Sequence, residues 1–75
     1  MSKIFEAEKM SAGKTKLRIT LSSKDVIEGY SMGIEPAFDA EGEELDYDVL
    51  VFDAYAPEAY FRLKEEDIDK VEKAS

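Results

Sequence analysis

The chain has 75 residues, of which 44% are hydrophobic, so it can form one small domain and is too apolar to be a disordered segment. It contains no cysteine and no histidine, which excludes disulfides, thiolate metal ligands and the commonest general base. Its net charge is −8 and is unevenly distributed. Residues 1–24 contain six basic and two acidic groups, whereas residues 25–75 contain four basic and sixteen acidic groups. Such a field repels nucleic acid and favours solubility.

The same composition sets expectations for chemistry and location. No apolar run approaches the roughly 20 residues that span a bilayer, and the first residues do not form a signal peptide. We therefore expect a cytoplasmic protein without membrane association. Because the usual catalytic and metal-ligating side chains are missing, we expect no enzyme activity, no cofactor and no metal site.

The first segment has the apolar spacing of a short amphipathic helix over residues 2–10, with Ser2 as its N-cap. A flexible arm is the alternative for a terminus. The chain accordingly divides into residues 1–15, a helix or arm, and residues 16–75, a β domain.

The next segment, residues 16–22, alternates apolar and polar side chains as a half-buried strand does. Leu17 and Ile19 are expected on the core face, with Lys16 and Arg18 on the other. The polar residues that follow, 22–25, predict a tight turn.

The second strand, residues 26–35, contains two glycines, Gly29 and Gly33. Glycine inside a strand indicates a bend or a close backbone approach, and a small barrel requires strongly curved strands. An acidic loop over residues 36–47 is expected to follow it.

The third strand, residues 48–54, is apolar on both faces. Either Val49 and Val51 or Leu50 and Phe52 must therefore be covered by something outside the core, such as the first helix, the acidic loop or another subunit.

The last segments predict a fourth strand at residues 59–64, one helical turn at 64–67 and a fifth strand at 68–72. The spacing of Ile68 and Val71 also permits a C-terminal helix. The predicted fold is mainly β, with five strands and a short N-terminal helix.

These elements resemble the plan of the Sm-like family, whose members are SH3-like small barrels. The first sequence motif of that family is resembled by five residues of this chain: Ile27, Gly29, Gly33, Ile34 and Glu35. The resemblance covers roughly residues 16–72 and implies a five-stranded barrel and an RNA-binding oligomer. Where the family has an asparagine this chain has Asp48, and where it has Arg-Gly the chain has Arg62-Leu63.

The acidic loop is the first candidate binding surface. Its carboxylates do not have the spacing of a calcium loop, so the loop is expected to be solvated, and its charge would also suit a basic protein partner. Phe38 is expected to fold back and pin the loop, while Tyr55 is either buried or exposed for binding. The candidate partner-binding residues are Glu41, Glu43, Glu44, Asp46, Tyr47 and Tyr55.

A basic strip formed by Lys14, Lys16 and Arg18 is the second candidate surface. With aromatic side chains nearby it could bind single-stranded nucleic acid, although such residues are commonly the polar face of a strand. We therefore predict a non-catalytic interaction module that binds protein through the acidic loop or a strand edge. The alternative is an Sm-like, RNA-associated oligomer, and the net charge favours a monomer or dimer over a ring.

Overall fold

The structure, a computed structural model, describes residues 2–11 and 15–74. It is mainly β, with five strands, one N-terminal helix and one 3₁₀ turn, as the sequence predicts. The elements are α1 (Lys3–Ser11), β1 (Leu17–Leu21), β2 (Val26–Phe38), β3 (Glu44–Ala56), β4 (Glu58–Leu63), the 3₁₀ turn (Glu65–Asp67) and β5 (Ile68–Lys73).

The five strands form one antiparallel sheet in the order β4-β3-β2-β1-β5. The predicted closure into a barrel is not observed, because β4 and β5 occupy opposite edges of the sheet and do not pair with each other. Helix α1 contacts β2, β5, β3 and β1, so it covers the inner side of the sheet. The C-terminal segment is a strand paired with β1, not a helix.

The inner face of the sheet and α1 form a single hydrophobic core. Ile4 and Ala7 of α1 are buried in it, so residues 3–11 are packed against the sheet and do not form a free arm. The Ser2 hydroxyl accepts a hydrogen bond from the Phe5 amide, which confirms the predicted N-cap. The buried strand residues of this core are Leu17, Ile19, Ile27, Leu50, Phe52, Ala54, Leu63 and Ile68.

Strand β1 has the predicted orientation. Leu17 and Ile19 are fully buried, and the intervening Arg18 lies on the opposite side of the sheet, which we call the outer face. The turn after β1 spans the predicted residues and is closed by a hydrogen bond from the Lys24 amide to the Leu21 carbonyl.

The two glycines of β2 are required for different reasons, one for a close backbone approach and the other for a positive φ. A Cβ on Gly29 would lie 2.0 Å from the carbonyl oxygen of Asp53 on β3, so the two backbones approach too closely for any other residue. Gly33 has a φ of +121° and follows Met32, the extra residue of a β-bulge opposite β3. The bulge therefore bends β2 next to Gly33, whereas Gly29 permits the close approach of β2 to β3.

The predicted twelve-residue acidic loop is wrong. Strands β2 and β3 are 13 residues each and continue through most of that segment, leaving only residues 39–43 as a connection. Pro36 pairs with Asp48, and Phe38 pairs with Glu44. We call residues 38–48 the acidic hairpin. Phe38 does not pin it to the domain, since this side chain is 52% exposed.

The outer face of β3 is covered within the chain. Leu50 and Phe52 face the core, whereas Val49, which is also buried, and the half-buried Val51 face outward. Arg62 on β4 lies opposite Val51, and Glu35 on β2 lies opposite Val49. The Arg62 guanidinium donates to the Glu35 carboxylate at 3.0 Å and thus crosses β3 over these valines.

Within residues 2–11 and 15–74, no helix has the length and apolarity needed to cross a membrane.

Candidate functional site

The tip of the acidic hairpin has a fixed geometry. One carboxylate oxygen of Asp39 accepts hydrogen bonds from the amides of Glu41 and Glu43, both at 2.9 Å. Gly42 supplies the positive φ, +81°, that the turn needs before β3 begins. The tip is therefore a hydrogen-bonded turn from which the charged side chains project.

All six acidic residues of the acidic hairpin are exposed to solvent. The exposed acids are Asp39, Glu41, Glu43, Glu44, Asp46 and Asp48. Asp39 is engaged by the turn amides. Like charges arranged this way repel one another, so a cationic group between them is favourable.

An open cleft of about 590 Å³ lies beside the acidic hairpin. Tyr47 and Asp48 of β3 line one part of it, and Lys64, Glu65 and Glu66 at the 3₁₀ turn line the rest. Tyr47 is 42% exposed, so part of its ring is open to solvent. The cleft combines an aromatic surface with three carboxylates and one lysine, so its lining is acidic on balance and suited to a basic side chain with an apolar stem.

Glu65 holds one wall of the cleft in place by capping α1. Its carboxylate accepts hydrogen bonds from the Ser2 hydroxyl at 2.8 Å, the Lys3 amide at 2.5 Å and the Ile4 amide at 3.2 Å. Desolvation acts to raise the pKa of Glu65, but these hydrogen bonds outweigh it and hold the pKa below its ordinary value. An anion at a helix N-terminus is further favoured by the helix dipole.

The predicted basic strip lies on the outer face, but its described cations already have partners. Arg18 Nε is 2.6 Å from the Glu28 carboxylate, and Lys16 Nζ lies 5.2 Å from the centre of the Tyr55 ring. The Tyr55 hydroxyl donates to the other oxygen of Glu28 at 3.1 Å. Lys14 lies outside the described residues.

This network shifts two pKa values. The hydrogen bond to Glu28 raises the pKa of Arg18, and the hydrogen bonds from Arg18 and then Tyr55 lower the pKa of Glu28. Both groups stay ionised around neutral pH. Because Arg18 is paired with Glu28 and Lys16 lies over Tyr55, the strip has less positive charge available to bind a phosphate backbone.

The predicted partner-binding residues fall into two separate groups. Five of them lie on the acidic hairpin, from Glu41 to Tyr47. Tyr55 is eight residues further along β3, roughly 26 Å away for an extended strand, and belongs to the Lys16–Glu28 network. Tyr55 is exposed, and its contacts separate it from the hairpin surface.

Three outer-face residues form a row that the sequence analysis did not identify. Tyr30 on β2, Asp53 on β3 and Tyr60 on β4 lie directly opposite one another in the sheet. In the sequence, Asp53 and Tyr55 alternate with the core residues Phe52 and Ala54, which indicates that Asp53 and Tyr55 lie on the same face of β3. The alignment of the three strands, however, depends on the bulges at Met32 and Tyr55, which no local pattern predicts.

Among the described residues, no group of three or more acidic side chains is arranged to hold a metal ion. The comparisons with known proteins find no match to this chain, whether to a protein-family model, a curated protein or a solved structure.

Proposed function

We propose that this chain is a non-catalytic interaction module that binds a basic segment of a protein partner at the acidic hairpin and the adjacent cleft. The observation that carries the proposal is the cleft itself, which is lined by Tyr47 and by more acidic residues (Asp48, Glu65 and Glu66) than basic ones (Lys64). An aromatic ring next to anions suits the apolar stem and charged head of a lysine or arginine.

The charge distribution of the chain supports a basic partner. Residues 25–75 carry sixteen acids and four basic groups, and the hairpin displays six of those acids in eleven residues. Complementary charge accelerates encounter and disfavours acidic competitors. The rigid turn at Asp39 and Gly42 reduces the entropy lost when a partner binds.

A peptide titration with two charge-matched variants tests the proposal. The first variant neutralises the hairpin through Glu41→Gln, Glu43→Gln, Glu44→Gln and Asp46→Asn. The control neutralises four exposed acids elsewhere through Glu6→Gln, Asp25→Asn, Glu58→Gln and Asp69→Asn. Both variants have a net charge of −4, which is −8 plus four.

The probe is a ten-residue peptide of alternating arginine and serine, with binding measured by calorimetry. We expect the hairpin variant to lose about tenfold in affinity, or roughly 1.4 kcal/mol, and the control to lose clearly less. A further variant, Tyr47→Ala, should weaken binding at unchanged charge. Equal losses in the two neutralised variants would mean that only the overall field matters, and would contradict a site at the hairpin.

The second candidate is an Sm-like, RNA-associated protein. What favours it is the combination of an N-terminal helix, a bent β2 with Gly29 and Gly33, and a 3₁₀ turn directly before β5. In addition, the motif residue Glu35 and the retained Arg62 form an ion pair. On this reading the open five-stranded sheet is a member of the SH3-like barrel class.

RNA titration at two salt concentrations distinguishes the two candidates. Because Arg18 is paired with Glu28 and Lys16 lies over Tyr55, we expect at most weak binding that disappears as salt is raised. Submicromolar, base-selective affinity that persists at the higher salt concentration would favour the RNA-associated function over the protein-binding one.

A further inference from the structure

The row of Tyr30, Asp53 and Tyr60 crosses three strands on the outer face of the sheet. Directly opposed residues of antiparallel strands project from the same face, so both tyrosines flank the carboxylate of Asp53. Tyr30 is exposed, and Tyr60, on the edge strand β4, is 71% exposed. A large aromatic side chain so accessible to solvent at a sheet edge is available for binding.

Asp53 is an unusual residue for the middle of this sheet. It is half-buried, and its carboxylate has no hydrogen-bond or ion-pair partner among the described residues. Aspartate is disfavoured in strands, and since the unpartnered carboxylate oxygens of Asp53 reach solvent, they are accessible to a cationic group of a partner. The neighbouring cations of the outer face contact other groups: Arg18 contacts Glu28, Arg62 contacts Glu35, and Lys16 lies over Tyr55.

The spacing of the row fits a flat cation. Tyr30 and Tyr60 are two strands apart, which is roughly 9.6 Å between backbones. Strand side chains stand roughly perpendicular to the sheet, so a cation above Asp53 can lie about 4.8 Å from each tyrosine side chain, inside the roughly 6 Å range of cation–π attraction. A guanidinium can stack on aromatic faces while donating two parallel hydrogen bonds to one carboxylate.

We infer that the row is a binding slot for one arginine side chain of a partner protein, stacked between Tyr30 and Tyr60 and paired with Asp53. The same face already holds a cation on a tyrosine, since Lys16 Nζ lies 5.2 Å from the Tyr55 ring centre. The slot lies on β2, β3 and β4 outside the acidic hairpin, so it is independent of the proposed hairpin site.

The test is an NMR titration with the capped tripeptide Gly-Arg-Gly, compared with its neutral analogue in which citrulline replaces arginine. We expect the arginine peptide to shift the resonances of Tyr30, Asp53 and Tyr60, and the citrulline peptide to leave them unchanged. Asp53→Asn and Tyr60→Leu should each weaken binding by about fivefold or more. Tyr47→Leu, a change in the acidic hairpin, should leave the shifts at the row unaltered.

Three results would overturn the inference. One is equal binding of the arginine and citrulline peptides, and another is full binding by Asp53→Asn with an unchanged circular dichroism spectrum. The third is equal affinity for Gly-Lys-Gly, which would exclude a slot selective for guanidinium. The variant with four neutralised hairpin acids separates the two sites, since it should retain these shifts even if the hairpin proposal fails.

Discussion

Gly29 shows how a single residue sets the path of two strands. The position where its Cβ would be is 2.0 Å from the Asp53 carbonyl oxygen and 2.6 Å from the Ala54 Cα, and both are backbone atoms of β3. Backbone in the centre of a sheet cannot move aside as a flexible side chain can. The sequence predicts this constraint from a glycine inside a strand, but it does not identify β3 as the neighbour.

We predict that Gly29→Ala lowers the free energy of unfolding by about 2 kcal/mol or more, because the added methyl forces β2 and β3 apart. For a domain of this size the melting temperature should fall by about 10 °C. Ala59→Val, which adds bulk on the exposed edge strand β4, is the control and should change stability by less than about 0.5 kcal/mol. If the Gly29→Ala protein has the same melting temperature as the wild type, strands β2 and β3 have room to separate and the prediction is wrong.

Glu65 links the 3₁₀ turn to the start of α1, a contact between residues more than sixty positions apart. The Ser2 cap is visible in the sequence as a serine before an amphipathic segment. The Glu65 cap is not, because nothing local connects an acid in a late turn to the first helix. The pKa of Glu65 is nevertheless lowered by this contact, so its effect on stability depends on pH.

The sign of that dependence follows from the direction of the shift. A carboxyl with a lowered pKa in the folded state stabilises the fold at neutral pH, and this contribution is lost as pH falls from the unfolded pKa, near 4.3, through the lower folded value. We predict that Glu65→Ala costs about 1 kcal/mol at pH 7, as loss of a helix cap does. The difference from wild type should shrink below about pH 4.

Thermal melts from pH 7 to pH 3 measure this. Glu66→Ala is the matched control, because within residues 2–11 and 15–74 the Glu66 carboxylate is paired only with Lys64, at 3.9 Å, and such an exposed pair contributes little. A deficit of Glu65→Ala that stays constant over the whole pH range would assign the effect to packing and not to the charge.

The acidic hairpin is the element that the sequence analysis assigned wrongly. The five acids and the proline of residues 36–47 favour a loop by propensity, which is why the sequence predicts one. The sequence does contain a signal for the longer β3, because an apolar or aromatic residue occurs at every second position: Leu45, Tyr47, Val49 and Val51. Pairing with β2 over the whole length overrides the low strand propensity of the acids.

We predict that Asp39→Ala loosens the hairpin tip without unfolding the domain. The change removes the acceptor for the Glu41 and Glu43 amides, and no residue of the hairpin tip belongs to the core cluster. Amide hydrogen exchange in residues 38–44 should accelerate, while global stability falls by no more than about 1 kcal/mol. Asp46→Ala, at the same end of β3 and without these bonds, should leave exchange unchanged. Unaltered protection in Asp39→Ala would show that the backbone hydrogen bonds among Asp39, Gly42 and Glu43 hold the turn without the side chain.

At the scale of the whole molecule, the hairpin makes the protein elongated. Its extents are 38 × 23 × 21 Å and its radius of gyration is 11.8 Å, slightly above the roughly 11.4 Å typical of a compact chain of this length. The sequence predicts the number and order of the strands because each alternates or is bounded by turn residues. It does not predict the open edges or the row at Asp53, since both depend on long-range register.

The open edges and the net charge together set the expected assembly state. Strands β4 and β5 each have one side without a pairing strand in the sheet, and unpaired edges are where further strands add. Strand β5 has the sequence IDKVEK, in which four of the six residues are charged, and β4 carries Glu58 and Arg62. Charged edge residues disfavour nonspecific pairing, and a charge of −8 on every subunit opposes a ring.

We therefore predict a monomer or dimer by light scattering at low salt. Repulsion between subunits is screened as the Debye length falls from about 30 Å at 0.01 M to about 3 Å at 1 M salt, so any association should strengthen as salt is added. Lys70→Glu makes the β5 edge more acidic and should weaken any association. Lys9→Glu is the control, because it makes the same charge change on the exposed side of α1, away from both edges. A stable hexamer or heptamer at low salt would mean that edge pairing outweighs the repulsion, and would favour the RNA-associated oligomer over the protein-binding module.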